Sequence, residues 1–111
     1  MDTVLDNLRN AKIVGIQQIH DYWQVITDKG GINIYNPVKY YTADNDWHDL
    51  GHFQLDNILD HIIVDITAEA LKYLSFELDN KSSIKVSLAD YDCNGPEAFD
   101  IHLNTGEVIV G

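Results

Sequence analysis

Residues 74–88 read Leu74-Ser75-Phe76-Glu77-Leu78-Asp79-Asn80-Lys81-Ser82-Ser83-Ile84-Lys85-Val86-Ser87-Leu88. Large apolar side chains take every second position on both sides of a short polar interruption. A period of two belongs to extended chain with one face buried, because successive side chains of a strand point to opposite faces. Asp79-Asn80-Lys81-Ser82 has the composition of a turn, since Asn, Asp and Ser side chains bond their own nearby backbone. The stretch therefore reads as an antiparallel hairpin.

The same pattern continues on either side. Ile62, Val64 and Ile66 alternate with His61, Asp65 and Thr67 before it, and Phe99, Ile101 and Leu103 alternate with Asp100 and His102 after it. Asn104-Thr105-Gly106 then turns the chain into a closing hairpin at residues 107–110. The first half follows a similar plan. Residues 13–19 and 22–27 are rich in Ile, Val and aromatics, which favour strands. Lys29-Gly30-Gly31 reads as a turn in which glycine accepts positive φ, and Ile32 and Ile34 make a third strand. Residues 2–10 read as a short helix with Val4, Leu5 and Leu8 on one side and Asp2 near its N-terminal end. Residues 40–60 are the irregular part. So long a structureless run is unusual in a small domain, so residues 47–59 are expected to hold a short helix with Phe53, Leu55, Ile58 and Leu59 as its apolar contacts.

The halves align. Ile16 falls opposite Ile66, Trp23, Val25 and Asp28 opposite Leu74, Phe76 and Asp79, and Ile32 and Ile34 opposite Ile84 and Val86. Alternating hairpins align in this way whether or not the halves are related, so both readings stand. The fold expected is a single mostly β domain over residues 1–111. It has a short N-terminal helix and about seven or eight strands in antiparallel hairpins, forming a curved sheet or small sandwich. An α+β fold with more helix around residues 53–59 is the alternative. Expected inward residues are Ile16, Trp23, Val25, Ile32, Ile34, Ile62, Val64, Ile66, Leu74, Phe76, Leu78, Ile84, Val86, Phe99, Ile101 and Val108.

Composition narrows the function classes. The 111 residues include 18 acidic and 7 basic ones, for a net charge of -11. Such a chain repels phosphate backbones and anionic membrane surfaces, which argues against nucleic-acid or membrane binding through a basic face. The single cysteine, Cys93, makes no internal disulfide and sits among Asp90, Asp92 and Glu97, whose charges oppose thiolate formation. The N-terminus lacks the basic and apolar regions of a secretory signal, and the apolar neighbourhood at residues 58–66 is interrupted by Asp60, His61 and Asp65. A cytoplasmic protein is expected.

No reaction is legible. His48 and His52 stand four apart, the spacing that places two imidazoles on one helix face, with Asp44 or Asp46 as a further ligand. The glutamate base of a zinc-hydrolase helix is missing between them, and Gly51 weakens the helix. A calcium loop started at Asp44 would need glycine and glutamate where Asp49 and Leu55 stand. Gly30-Gly31 lacks the lysine and the following helix of a phosphate loop. The expectation is a protein that is not an enzyme and needs no metal or other cofactor.

The acidic residues themselves are the remaining signal. Asp44, Asp46, Asp49, Asp56 and Asp60 crowd the centre, and Asp90, Asp92, Glu97 and Asp100 crowd the segment before the last hairpin. Aspartate outnumbers glutamate fourteen to four. Its short side chain has little entropy to lose on binding, which suits a surface that meets a cationic partner. Trp47, Tyr40 and Tyr41 beside the central cluster are the candidate anchors.

Asn94-Gly95-Pro96-Glu97-Ala98-Phe99, followed by Leu103-Asn104-Thr105-Gly106-Glu107-Val108-Ile109-Val110, together with size, charge and strand order, resembles the small acidic immunity proteins of bacterial toxin–immunity systems, including contact-dependent growth inhibition. That resemblance implies neutralisation of a cognate basic toxin domain, often a nuclease, by direct binding. It supplies no catalytic residues. The partner-binding residues expected are Asp44, Asp46, Asp49, Trp47, Tyr40 and Tyr41, with Asp90, Asp92 and Glu97 as a second cluster. Two rival readings are a structural or assembly module that homodimerises through sheet edges, and a metal-binding protein or enzyme that uses His48 and His52.

Overall fold

The computed structural model describes residues 5–44, 46–51, 55–89 and 98–110. After one 3-10 turn, Leu5–Leu8, come β1 (Ile13–Ile19), β2 (Tyr22–Thr27), β3 (Gly30–Ile34), β4 (Val38–Tyr41) and β5 (Trp47–Asp49). A single helical turn, α1 (Leu55–Ile58), leads into β6 (Ile63–Glu69), β7 (Tyr73–Leu78), β8 (Ser83–Ser87), β9 (Phe99–Leu103) and β10 (Val108–Val110). The fold is mostly β, as the alternation demands. Ten strands form among the described residues rather than seven or eight.

The strands make two five-stranded antiparallel sheets, in the orders β1-β2-β3-β9-β10 and β5-β4-β8-β7-β6. Each half of the chain thus builds three strands of one sheet and then sends its last hairpin into the other. β9 pairs with β3, and β4 pairs with β8. The inner faces share one apolar core, in which Leu8, Ile13, Ile32, Ile58, Ile63, Ile84 and Ile101 are all but inaccessible.

The halves repeat each other in backbone detail. β1 is bulged between Ile13 and Gly15, and β6 is bulged between Ile63 and Asp65, fifty residues on. Asn10 and Asp60 both take left-handed backbone at φ 67°, a conformation uncommon outside glycine. Reciprocal bonds join the two copies. Ile13 N–H donates to His61 O and Ile63 N–H to Ala11 O, both at 2.9 Å, while Asn10 N–H donates to Ile63 O and Asp60 N–H to Ile13 O. Residue i meets j and j meets i, which is the pattern of a twofold relation between the halves.

The bulges correct the inward list. An extra residue in the strand moves the buried positions to Ile13 and Ile16 in β1, and to Ile63 and Ile66 in β6. Val64, expected inside, is 47% exposed, and Ile62 is only half-buried. Val108 is also outside, because it pairs with the outward His102; Ile109, opposite Ile101, packs on the core instead. Trp23 packs against the core from its margin. Gly30 and Gly31 belong to β3 and neither has positive φ. The turn before them is made by Thr27, whose Oγ1 accepts from Lys29 and Gly30 N–H and donates to Gly30 O.

The helix expectations fare differently. Residues 2–10 contribute only the 3-10 turn among their described part, whereas the short helix expected within residues 47–59 is present as α1 (Leu55–Ile58), with residues 47–49 forming strand before it. Phe53 lies outside the described residues. No helix of the described residues is long and apolar enough to cross a membrane.

Candidate interaction surface

The β4–β5 hairpin forms one edge of the second sheet and carries the central acidic cluster. Its turn is closed by Thr42 N–H donating to Asp46 O at 2.8 Å and by Asp46 N–H donating to Thr42 Oγ1 at 3.2 Å. Alternation along β4 decides which tyrosine is available. Val38 and Tyr40 point inward, and Lys39 and Tyr41 point outward. Tyr40 is 3% exposed and belongs to the core, so it is not a surface anchor. This overturns its place among the anchors, because two adjacent strand residues cannot share a face. Tyr41 is half-buried on the outer face, opposite Trp47.

Trp47 is 53% exposed, and Asp44, Asp46 and Asp49 are all exposed beside it. Asp44 and Asp46 sit at the turn, and Asp49 stands opposite Lys39. The hairpin therefore brings the predicted Asp44, Asp46, Asp49, Trp47 and Tyr41 together. Asp90, Asp92 and Glu97, with Cys93, lie outside the described residues.

The outer face of the sheet continues this surface. The Lys39 ammonium lies 4.0 Å from the centre of the Trp47 ring. Lys85 on β8 lies 4.7 Å from the Tyr41 ring and 5.0 Å from the Tyr73 ring. Such cation–aromatic contacts restrain exposed rings without burying them. At the far side, Lys72 Nζ meets Glu69 Oε1 at 2.9 Å. The hydrogen bond from Lys72, then its charge, hold the Glu69 carboxyl below its ordinary range, and a bond from Tyr73 adds to this.

His48 lies on β5, so no helix places it on one face with His52, which is outside the described residues. Among the described residues no group of three His, Cys, Asp or Glu is arranged to hold a metal.

A polar row that the sequence does not signal crosses the first sheet. Gln17 Nε2 donates to Gln24 Oε1, Gln24 Nε2 to Asn33 Oδ1, and Asn33 Nδ2 to Asp100 Oδ1 at 2.8 Å. Tyr35 O–H donates to Asp100 Oδ2, and His102 Nε2 lies 2.9 Å from Asp100 Oδ1. Asp100, expected among the acidic residues crowding the segment before the last hairpin, is instead 8% exposed and fully engaged. Consecutive hairpins bring Gln17, Gln24 and Asn33 together, but only the non-local pairing of β3 with β9 adds Asp100, which no spacing in the sequence announces. Comparison with protein-family models, curated proteins and solved structures finds no match, so the functional reading rests on this surface and on the charge of the chain.

Proposed function

We propose that this chain is a non-enzymatic binding protein, an immunity protein that neutralises a cognate basic toxin in the bacterial cytoplasm by direct contact through the β4–β5 hairpin. The observation that carries the reading is the exposed Trp47 set among Asp44, Asp46 and Asp49 on a chain of net charge -11. Large aromatic side chains ringed by polar groups are what binding hot spots are made of. A dense negative charge steers a cationic protein toward them, and a nuclease toxin carries such a surface for its own substrate. Trp47 and Tyr41 serve as anchors, without Tyr40. The bulges in the edge strands β1 and β6 work against the rival reading of homodimerisation through those edges.

The roles divide kinetically. Exchanging Asp44, Asp46 and Asp49 together for asparagine slows association with the toxin domain several-fold and leaves the melting midpoint nearly unchanged, since all three are exposed. Trp47→Ala leaves association nearly intact and speeds dissociation, because it removes an anchor rather than a field. Neutralising Asp90, Asp92 and Glu97 has the smaller effect. Stopped-flow association and dissociation with a candidate basic toxin domain provide the test. Equal rates for all variants would refute the assignment of the hairpin as the contact surface.

A further inference from the structure

Lys39 and Lys85 are direct cross-strand partners on the outer face of the second sheet. Like charges so placed repel each other. The chain has an excess of carboxylates, and three of its other five cations lie against one, while Lys29 Nζ donates to Arg9 O instead. Arg9 is held by Asp65, Lys12 by Asp60 and Lys72 by Glu69. Lys39 and Lys85 are treated differently. Both are half-buried, and their ammonium groups rest over the rings of Trp47, Tyr41 and Tyr73. An aromatic face attracts a cation but does not neutralise it.

The corresponding cross-strand pair of the first sheet, Asn33 with Asp100, shows what that position holds when it is satisfied from within. There a carboxylate takes bonds from Asn33, Tyr35 and His102. In the second sheet the same position presents two cations beside aromatic rings, with Asp49 the cross-strand partner of Lys39 on its other side.

We infer that the Lys39–Lys85 pair receives a carboxylate side chain from the protein partner. The inference deepens the proposed function and rests on it, since Trp47 belongs both to the acidic hairpin and to the wall of this notch. The occupant is a single carboxylate set in a cationic surface. The neighbouring Asp49 and Glu77 repel a strongly anionic partner, whereas cationic groups beside the carboxylate complement them.

Two capped pentapeptides test it: four lysines around a central glutamate, and the same sequence with a central glutamine. Each is titrated into the full chain and into the Lys39→Gln/Lys85→Gln variant, with amide shifts and tryptophan fluorescence as readouts. The glutamate peptide is expected to bind the unaltered chain about three- to tenfold more tightly, the range for a partly desolvated ion pair. That preference disappears in the double variant, and the shifts fall on Lys39, Tyr41, Trp47, Tyr73 and Lys85. The single variants Lys39→Gln and Lys85→Gln give the same reading if the double variant fails to fold. Equal binding of the two peptides, or a preference that survives the double substitution, overturns the carboxylate notch and leaves the basic-partner reading standing. Displacement of the glutamate peptide by inorganic phosphate at similar concentration also overturns it, because the notch would then take free anions. Binding of neither peptide overturns both readings.

Discussion

Replacing Phe76 with alanine lowers the folding free energy by about 3–5 kcal/mol, the range for emptying the space of a buried aromatic ring. Phe76 is 2% exposed and lies mid-strand in β7, between Ile66 and Ile84 on the neighbouring strands. Domains of this size hold about 5–15 kcal/mol in total, so the loss is a large share of it. Ser75, one residue back, provides the control. It faces the other way, as the alternation requires, but it is buried on that side too and donates to Glu77 Oε1 at 3.0 Å. Ser75→Ala therefore costs about 1 kcal/mol, the worth of one hydrogen bond, rather than nothing. Urea unfolding of both variants checks the contrast. Equal losses would mean that β7 does not present Phe76 to the core.

The second large effect is at Gly30, where the first half of the chain meets the hairpin sent by the second. A Cβ placed there would sit 2.4 Å from His102 O and 2.9 Å from Leu103 Cα. Both obstacles are backbone atoms of β9 and cannot rotate aside, so Gly30→Ala pushes β3 and β9 apart. The expected loss is about 1–3 kcal/mol, as for overpacking in a close-packed interior. Gly31→Ala meets nothing within 4 Å and is expected to be close to neutral. Thermal unfolding separates the two. A harmless Gly30→Ala would contradict the pairing of β3 with β9, and with it the exchange of hairpins between the halves.

Much of this architecture was legible in advance, for a physical reason. Leu74, Phe76, Leu78, Ile84 and Val86 show a clean period of two, and each is buried where that period puts it. The failures occur where the period carries no information. Ile62-Ile63-Val64 is apolar throughout, so nothing in the run locates the bulge that turns Ile63 in and Val64 out. Tyr40 and Tyr41 are identical neighbours, and only the register with β8 assigns one to the core. Trp47–Asp49 is exposed at every position and therefore has no alternation to read. The twofold repetition was visible only as an alignment that alternation alone can produce. The bulges and the shared φ of Asn10 and Asp60 are independent of that alternation. The candidate surface was half legible. The acidic hairpin and Trp47 are contiguous in sequence, whereas the Lys39–Lys85 pair and the Asp100 row come from strands far apart in the chain.

The central claim is that the charge of this chain acts on encounter with a cationic protein. Its most direct test is the association rate with a candidate basic toxin domain, measured from low to high salt. Fields of exposed charges extend only about 8 Å at physiological ionic strength and much farther at low salt. Association is expected to slow steeply as salt rises while dissociation changes little. An association rate indifferent to salt would contradict it and reduce the net charge of -11 to a matter of solubility.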